Sequence, residues 1–210
     1  MIDAIPAPSN NWQRRLEKPS IIVIHYTDTE HLKDSLALLR SVEKKVSCHI
    51  VIDVDGTIYR LVDDDKTAWH AGVSYWRGLY NINHHSLGVE LQNGGVRYKK
   101  PNGDMVDYPE KQILSLITLL QYWQKKFSIA AHNIIGHSDI AANRKCDPGP
   151  KFPWHKLVEK NLAEDMTAHQ SILDLPDDLA KKKLCDLGYD PKLPIETLRR
   201  AFMLRLGLQN

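Results

Sequence analysis

A short, entirely apolar run near the N-terminus constrains the fold more than any other part of the chain. Residues 20–26 read Ser-Ile-Ile-Val-Ile-His-Tyr, with four β-branched apolar residues in succession. A strand that faces water on one side alternates polar and apolar residues, so this uninterrupted run predicts a strand buried on both faces. Such a strand needs covering layers above and below its sheet, and it carries a histidine, His25, close to its end.

Further strand and helix signals alternate along the chain. A second apolar strand is predicted over 86–91, and the Asp-Gly pair at 55–56 predicts a hairpin between two β-branched runs. Leucines at helical spacing predict a helix near 30–44, and the residues after Pro109 predict an amphipathic helix of about five turns. Strands interleaved with two long helices indicate an α/β fold with a mixed central β-sheet flanked by helices.

The length suits one domain with a small appendage, because a domain takes about 150 residues and this chain has 210. The pattern changes after about residue 166, where two short amphipathic helices are predicted, separated by prolines. We therefore divide the chain into a main domain, residues 1–166, with an extended N-terminal lead-in, and a small C-terminal helical appendage, residues 167–210. About 40 residues hold little core by themselves, so we expect the appendage to pack on the main domain.

Charge and hydropathy exclude several classes of partner. Lys and Arg number 28, Asp and Glu number 26, and the net charge is only +2. A nucleic-acid-binding protein concentrates basic residues on one face, so we expect no nucleic-acid partner. No stretch approaches the roughly 20 apolar residues of a membrane span, and the N-terminal residues lack the regions of a signal peptide. Three cysteines without a Cys-x-x-Cys pair argue against a disulfide framework.

Three segments carry the residues most typical of a catalytic site. His25 lies at the end of the first predicted strand, Glu90 lies within the second, and the block 136–150 contains His137 and Asp147. Two histidines and a carboxylate form one of the ligand sets of catalytic zinc, which keeps a further position open for water. The spacing also permits a simpler interpretation, in which the histidines order a strand end and a loop and Glu90 forms a structural salt bridge.

Four segments resemble one protein family, and they occur in the family's order. They are IIVIHYT (21–27), AWHAGVSYWRG (68–78), NHHSLGVELQN (83–93) and GHSDIAANRKCDPGPKFPW (136–154). Across roughly residues 18–160 the chain resembles the N-acetylmuramoyl-L-alanine amidases of the type 2 amidase family, which is related in fold to T7-type lysozyme and peptidoglycan recognition proteins. The C-terminal appendage resembles, more weakly, a helical peptidoglycan-binding module.

The resemblance implies a metal cofactor and its ligands. The family binds Zn²⁺, and its ligand positions match His25, His137 and Asp147. Related recognition proteins and phage enzymes place a cysteine directly before Pro-Gly as the third ligand. Asp147 occupies that position here and Cys146 lies one residue earlier, so we expect Asp147 to be the ligand, with Cys146 as the alternative.

The resemblance also implies catalytic and substrate-binding residues. Glu90 matches the family's catalytic glutamate and is expected to transfer protons, while Lys145 matches its catalytic lysine and is expected to stabilise a developing oxyanion. In the loop 69–85, before the second apolar strand, we expect His70, Trp76 and Arg77 to contact substrate, with Arg77 pairing to a carboxylate of the stem peptide. In the alternative, Trp76 packs in the core, Arg77 is solvated and His70 supports the site from behind.

The expected function is hydrolysis of the amide between the lactyl group of (anhydro-)N-acetylmuramic acid and L-alanine, with peptidoglycan or muropeptide fragments as partners. A non-catalytic peptidoglycan-recognition module and a hydrolase using Cys146 with His137 stay open as alternatives. The appendage resembles the layout of the family's envelope branch, which favours the cell envelope or periplasm with a signal peptide removed. The absence of a signal peptide and the unpaired cysteines favour the other possibility, a cytoplasmic amidase restricted to 1,6-anhydro-muropeptides.

Overall fold

A computed structural model of the chain describes residues 2–208. The strands of this part are β1 (Ile5–Pro6), β2 (Trp12–Arg14), β3 (Ile21–Tyr26), β4 (Ile50–Ile52), β5 (Ile58–Arg60), β6 (Lys66–Ala68), β7 (Tyr75–Trp76), β8 (Leu79–Tyr80), β9 (Ser86–Leu91) and β10 (Ile134–Gly136). The α-helices are α1 (Leu32–Arg40), α2 (Glu110–Phe127), α3 (His137–Ile140), α4 (Trp154–Val158), α5 (Asp177–Leu187) and α6 (Ile195–Arg205). Short 3₁₀ helices occupy Ile82–His85, Ala131–Asn133 and Met166–Asp174. Among the described helices none has the length and apolar character required to cross a bilayer.

Six strands form one mixed sheet in the order β1-β5-β4-β9-β3-β10. The strands β4, β9, β3 and β10 run parallel to one another, whereas β5 is antiparallel to β4 and β1 is parallel to β5. The predicted Asp-Gly hairpin at 55–56 joins β4 to β5. The predicted α/β architecture with a mixed central sheet and flanking helices is therefore confirmed.

Side chains of β3 alternate between two separate cores, as the two-residue period of a strand requires. Ile22 and Ile24 belong to the core on the first face of the sheet, whereas Ile21 and Val23 belong to the core on the second face. All four side chains are buried. The unbroken apolar run of the sequence follows from this position, because neither face of the strand meets water.

The long helix α2 covers the first face of the sheet. Its buried residues Ile113, Leu116, Leu120 and Trp123 recur at helical spacing and pack against apolar residues of β3, β4 and β9. The helix begins directly after Pro109, as predicted. Burial of this apolar stripe against the apolar side chains of the sheet places α2 on the first face of the sheet.

The helix α1 ends earlier than predicted, at Arg40 rather than near residue 44. The cause lies in the N-terminal lead-in. Asn11 Nδ2 donates hydrogen bonds to the main-chain oxygens of Ser41 and Val46, each at 2.8 Å. These two bonds hold the residues after α1 in a turn, and helical spacing in the sequence does not reveal a contact with so distant a residue.

The C-terminal helices cover the second face of the sheet. Their buried apolar residues lie in one core cluster together with Ile21 and Val23 of β3 and Ile135 of β10. The larger members from this region are Leu184, Tyr189, Leu198 and Phe202. The region packs on the main domain, as we expect for so few residues. The boundary at 166/167 and the description of the appendage as a peptidoglycan-binding-like module stay predictions.

Three parallel strands end at one edge of the sheet, and this edge positions the polar residues. His25, the penultimate residue of β3, pairs with Glu90, the penultimate residue of β9. His137 follows β10 directly. In α/β sheets, ligand-binding clefts form at the carboxyl ends of the strands. The sheet thereby brings together His25 and His137, which are 112 residues apart in sequence.

His49 is a buried histidine that links two central strands. It lies directly before β4, and its Nδ1 accepts a hydrogen bond from the main-chain N–H of Gly88 in β9 at 2.9 Å. Burial lowers the pKa of His49 to about 3, and the positive charge of Arg15 acts in the same direction. The ring is therefore neutral in the folded protein at ordinary pH.

We predict that His49 makes the fold sensitive to acid. The unfolded chain protonates this ring below about pH 6.5, whereas the folded chain keeps it neutral down to about pH 3. The stabilising contribution is thus complete above pH 6.5 and is lost as the pH falls, by up to about 1.4 kcal/mol per pH unit.

The variant His49→Asn retains an acceptor near the position of Nδ1 but does not titrate. Urea unfolding of both proteins, with chelator present, gives their free energies of unfolding between about pH 7 and pH 4.5. We expect the free energy of the natural chain to fall more steeply than that of the variant. Parallel curves would contradict the assignment.

Candidate metal centre and active site

The three predicted ligand side chains converge where the parallel strands end. His25 Nδ1 lies 2.9 Å from His137 Nδ1, and Asp147 Oδ2 lies 3.0 Å from each of these nitrogens. All three side chains are buried. They come from β3, from the first residue of α3 and from the loop that follows α3. Together they form a group with the residue types and spacing to hold a metal ion.

A hydrogen bond on the far side of His137 determines which ring nitrogen carries its proton. His137 Nε2 lies 3.2 Å from the main-chain oxygen of Ala71. A carbonyl oxygen only accepts, so Nε2 is the protonated nitrogen. In the neutral ring Nδ1 then presents a lone pair toward Asp147. The carbonyl of a small loop residue therefore sets the tautomer of a predicted ligand.

A chain of hydrogen bonds through Ser86 and His70 determines which ring nitrogen of His25 carries its proton. Ser86 Oγ donates its single hydrogen to the main-chain oxygen of Ile82 at 2.6 Å, so it accepts from His70 Nε2 at 3.1 Å. Burial, followed by the charges of neighbouring histidines, lowers the pKa of His70 well below its usual range, so the ring is neutral and its Nδ1 accepts. His25 Nε2 donates to that nitrogen at 3.0 Å. A lone pair on His25 Nδ1 remains, directed at His137 and Asp147.

The cluster thus directs two imidazole nitrogens and one carboxylate oxygen at one another. Burial lowers the pKa of His25 to about 4, with a further lowering by His137, so the imidazole of His25 is neutral at ordinary pH. Buried donors that face one another at about 3 Å need a cation among them. Two imidazole nitrogens and one carboxylate oxygen are a ligand set of catalytic zinc. The chemistry of these donors therefore fits Zn²⁺.

The cluster lies in an open groove with a volume of about 330 Å³, whose lining includes both predicted catalytic residues, Glu90 and Lys145. Burial raises the pKa of Glu90 well above its ordinary value, and the negative charge of Asp147 adds to this effect. Glu90 Oε2 is buried and has no hydrogen-bond partner among the described residues. This carboxyl group is therefore positioned to exchange a proton with a molecule in the groove.

Cys146 is placed differently from the three ligands. Its Sγ lies 3.0 Å from Tyr26 Oη, and the metal-ligating group contains Asp147 rather than Cys146. Within residues 2–208 the structure gives no hydrogen bond between Cys146 and a histidine. The thiol–imidazole pair that a Cys/His hydrolase requires, Cys146 with His137, is therefore not formed.

Two of the three expected substrate contacts lie elsewhere in the structure. Trp76 is fully buried, with its ring centroid 5.4 Å from that of Tyr189, and Arg77 Nη1 donates to the main-chain oxygen of Leu187 at 2.8 Å. The aromatic ring of Trp76 packs in the core, and the guanidinium of Arg77 satisfies a carbonyl at the end of α5. Both residues connect the β7–β8 hairpin to the C-terminal region. Trp76 is a core residue, which corrects its expected role, whereas Arg77 is exposed and its contact with the stem peptide stays a prediction. His70 lines the groove, but both its ring nitrogens hold protein partners.

Sequence analysis missed three groups that support the ligands. Ala71 and Ser86 act on the histidine tautomers, and Asn83 Oδ1 accepts the main-chain N–H groups of His70 and Ala71 at 3.0 and 2.7 Å. Only Asn83 has a sequence signal, because Asn is typical of turns and short irregular segments such as the 3₁₀ helix Ile82–His85, in which it lies. Ala71 contributes a carbonyl oxygen, which every residue has, so its residue type carries no signal.

The chain matches known proteins over the part that contains this site. A family model described as N-acetylmuramoyl-L-alanine amidase matches residues 15–150, a range that contains both predicted catalytic residues and all three predicted ligands. The chain is 36% identical over 155 residues to N-acetylmuramoyl-L-alanine amidase AmiD of Escherichia coli (strain K12), covering 68% of this chain and 53% of that protein. It is 30% identical over 189 residues to 1,6-anhydro-N-acetylmuramyl-L-alanine amidase AmpD of Enterobacter cloacae, covering 80% and 96%.

The fold also matches a solved structure. This is the complex of AmiD from E. coli with the substrate anhydro-N-acetylmuramic acid-L-Ala-D-gamma-Glu-L-Lys, with a TM-score of 0.71 and 28% sequence identity. The superposition covers 94% of this chain and 93% of that chain, so it extends into the C-terminal helices. In sequence, by contrast, the chain spans about half the length of AmiD and nearly all of AmpD.

We predict that His70 controls the affinity of the cluster for zinc. His70→Leu removes the acceptor for His25 Nε2, so the ring of His25 is no longer held in the ligating tautomer. Loss of such a supporting contact typically lowers metal affinity about 10- to 100-fold. His70→Asn places an amide oxygen near the position of Nδ1 and should retain most of the affinity. Competition with a chromophoric chelator measures the three dissociation constants, and equal values for the natural chain and His70→Leu would contradict the prediction.

Proposed function

The chain belongs to the N-acetylmuramoyl-L-alanine amidase family, and we propose that it is a zinc-dependent amidase of peptidoglycan turnover. The bond cleaved is the amide between the lactyl group of N-acetylmuramic acid and the L-alanine of the stem peptide. The observation that carries the proposal is the convergence of two histidine ring nitrogens and a carboxylate oxygen in the groove that Glu90 also lines.

In this proposal His25, His137 and Asp147 hold the zinc ion. When bound there, zinc supplies Lewis acidity that polarises the amide carbonyl and makes water more acidic. Glu90 removes a proton from the attacking water and later delivers it to the departing amine, so that one carboxyl group serves both proton transfers. The raised pKa of Glu90, caused by burial and then by the charge of Asp147, suits a group that must hold the proton between the two steps.

Lys145 supplies the positive charge in this mechanism. It lines the same groove as Glu90, and its main-chain N–H bonds to the oxygen of Ala141 at 3.0 Å, which anchors its position just after α3. An ammonium group beside the carbonyl oxygen stabilises the negative charge that develops as the amide becomes tetrahedral. Lys145 thus stabilises the transition state, while Glu90 moves the proton.

The groove walls suit a substrate with both apolar and polar parts. Leu38, Val46, Trp69 and Val96 contribute apolar surface, while the metal-ligand cluster and Lys145 line the polar part. The apolar residues offer contacts for the methyl groups of the lactyl unit and of L-alanine. Because AmiD has been solved with an anhydro-muropeptide substrate, we propose that anhydromuramoyl peptides are substrates of this chain and that polymeric wall is a second one.

We place the protein in the cell envelope, with the cytoplasm as the alternative. The structural similarity to AmiD reaches into the C-terminal helices, and the layout of a catalytic domain with such an appendage resembles the envelope branch of the family. A cytoplasmic enzyme would act on 1,6-anhydro-muropeptides alone, so substrate range and location are linked in this proposal.

We predict that Glu90→Gln greatly slows turnover and keeps the metal. The amide is nearly the same size as the carboxyl group but does not exchange a proton, so the rate should fall about 10²- to 10⁴-fold. Zinc content by elemental analysis should equal that of the natural chain. Glu43→Gln, at an exposed position outside the groove, serves as the matched control and should keep full activity. Near-normal turnover of a zinc-loaded Glu90→Gln protein would contradict the role of Glu90.

A paired digest tests the substrate range and the reaction together. Purified sacculi and 1,6-anhydro-muropeptides are each incubated with the protein, with and without chelator, and the products are identified by mass spectrometry. We expect free stem peptide from both substrates and none in the presence of chelator. Release from the anhydro fragments alone would correct the substrate range and the location. Zinc binding without release from either substrate would contradict the amidase proposal and favour a recognition module.

A further inference from the structure

Asp139 is a buried carboxylate that lies two residues beyond His137. Its Oδ2 accepts the main-chain N–H of Gly136 at 2.8 Å, which closes the first turn of α3, and His137 is the first residue of that helix. Its Oδ1 accepts a hydrogen bond from Tyr189 Oη at 2.7 Å. One carboxylate therefore connects the turn that presents His137 with a residue that follows α5 in the C-terminal region.

Arg205 of α6 supplies the charge opposite Asp139. Arg205 Nη1 lies 3.7 Å from Asp139 Oδ2, and the two side chains are only 2% and 1% exposed. The guanidinium lies over the ring of Trp154, 3.1 Å from its centroid. A carboxylate in such surroundings is destabilising unless it is both hydrogen-bonded and paired with a positive charge. The C-terminal region provides Asp139 with both.

Two further contacts from α6 reach the main chain on either side of His137. Arg205 Nη2 donates to the oxygen of Ile134 at 3.4 Å, and Arg200 Nη2 donates to the oxygen of Ala142 at 2.6 Å. The segment 134–142 is thus bound by the C-terminal region at its beginning, through Asp139 in its middle, and at its end. His137 lies inside this segment.

Tyr189 is itself held rigidly. It is fully buried, and its ring lies between Trp76 and Phe202, with centroid separations of 5.4 and 6.5 Å. The position of its hydroxyl group is therefore set by the core that the C-terminal helices share with the sheet. A rigid donor of this kind determines where Asp139, and with it the first turn of α3, is placed.

We propose that Tyr189 and Arg205 are positioning residues for the metal ligand His137 and that they act through Asp139. In this view the C-terminal region completes the metal centre, in addition to covering the sheet. The inference rests on the zinc site of the proposed function. Metal–ligand distances tolerate changes of only about 0.2 Å, so a loosened first turn of α3 lowers zinc affinity while the fold persists.

The decisive variant is Tyr189→Phe, which removes one hydroxyl group and keeps the packed ring. We expect the zinc dissociation constant to rise about 10- to 100-fold, as for other contacts that orient a metal ligand. We also expect kcat at limiting zinc to fall, with KM unchanged, because Tyr189 does not line the groove. Ile172→Ala is the matched control, since Ile172 is buried in the same core and makes no hydrogen bond to Asp139. It should lower the melting temperature and leave zinc affinity unchanged.

A double variant separates action through Asp139 from a general loss of packing. If Tyr189 acts through Asp139, adding Tyr189→Phe to Asp139→Asn causes little further loss of zinc affinity, because the effects of coupled residues are not additive. Unchanged affinity in Tyr189→Phe, additive losses in the double variant, or an equal loss in Ile172→Ala would each overturn this inference alone. Failure of the natural chain to bind zinc would overturn the proposed function as well, so the two failures are distinguishable.

Discussion

Two ring nitrogens, of His25 and His137, and a carboxylate oxygen of Asp147 converge within about 3 Å of one another, and the surrounding structure holds them there. The parallel strands provide the frame, because β3 and β10 are neighbours whose carboxyl ends meet at one edge of the sheet. The apolar residues of β3 are buried in cores on both faces, which keeps this frame rigid. A buried cluster of donors is stable only when a cation satisfies it, so the fold and the proposed metal support each other.

The ability of the two histidines to bind a metal depends on their hydrogen-bond partners as well as on their own positions. The carbonyl of Ala71 determines which ring nitrogen of His137 is protonated. The chain of hydrogen bonds from Ile82 through Ser86 and His70 does so for His25. Each link in this chain has both a donor and an acceptor, which is the condition under which a buried polar network stabilises a fold. Asp139 supports the ligands in a similar way, because its hydrogen bonds join the first turn of α3, which carries His137, to Tyr189 of the C-terminal region.

The sequence predicts the parts of the fold that depend on local pattern. The buried strand β3, the amphipathic helix α2 and the hairpin at 55–56 all follow from the spacing of apolar and turn residues. The candidate ligands needed the family resemblance, because their separations in sequence alone permit structural roles for the same histidines. Where prediction failed, contacts between distant segments decide the outcome. The early end of α1 depends on Asn11, and the burial of Trp76 depends on Tyr189 more than a hundred residues later.

The central claim is that two histidines and Asp147, and not Cys146, hold zinc in this chain. X-ray absorption spectroscopy at the zinc edge tests it most directly, because zinc–nitrogen and zinc–oxygen distances of about 2.0–2.2 Å are resolved from a zinc–sulfur distance of about 2.3 Å. The account predicts two imidazole ligands, only nitrogen and oxygen donors, and an unchanged spectrum in Cys146→Ser. A sulfur ligand that disappears in that variant would contradict the proposed centre.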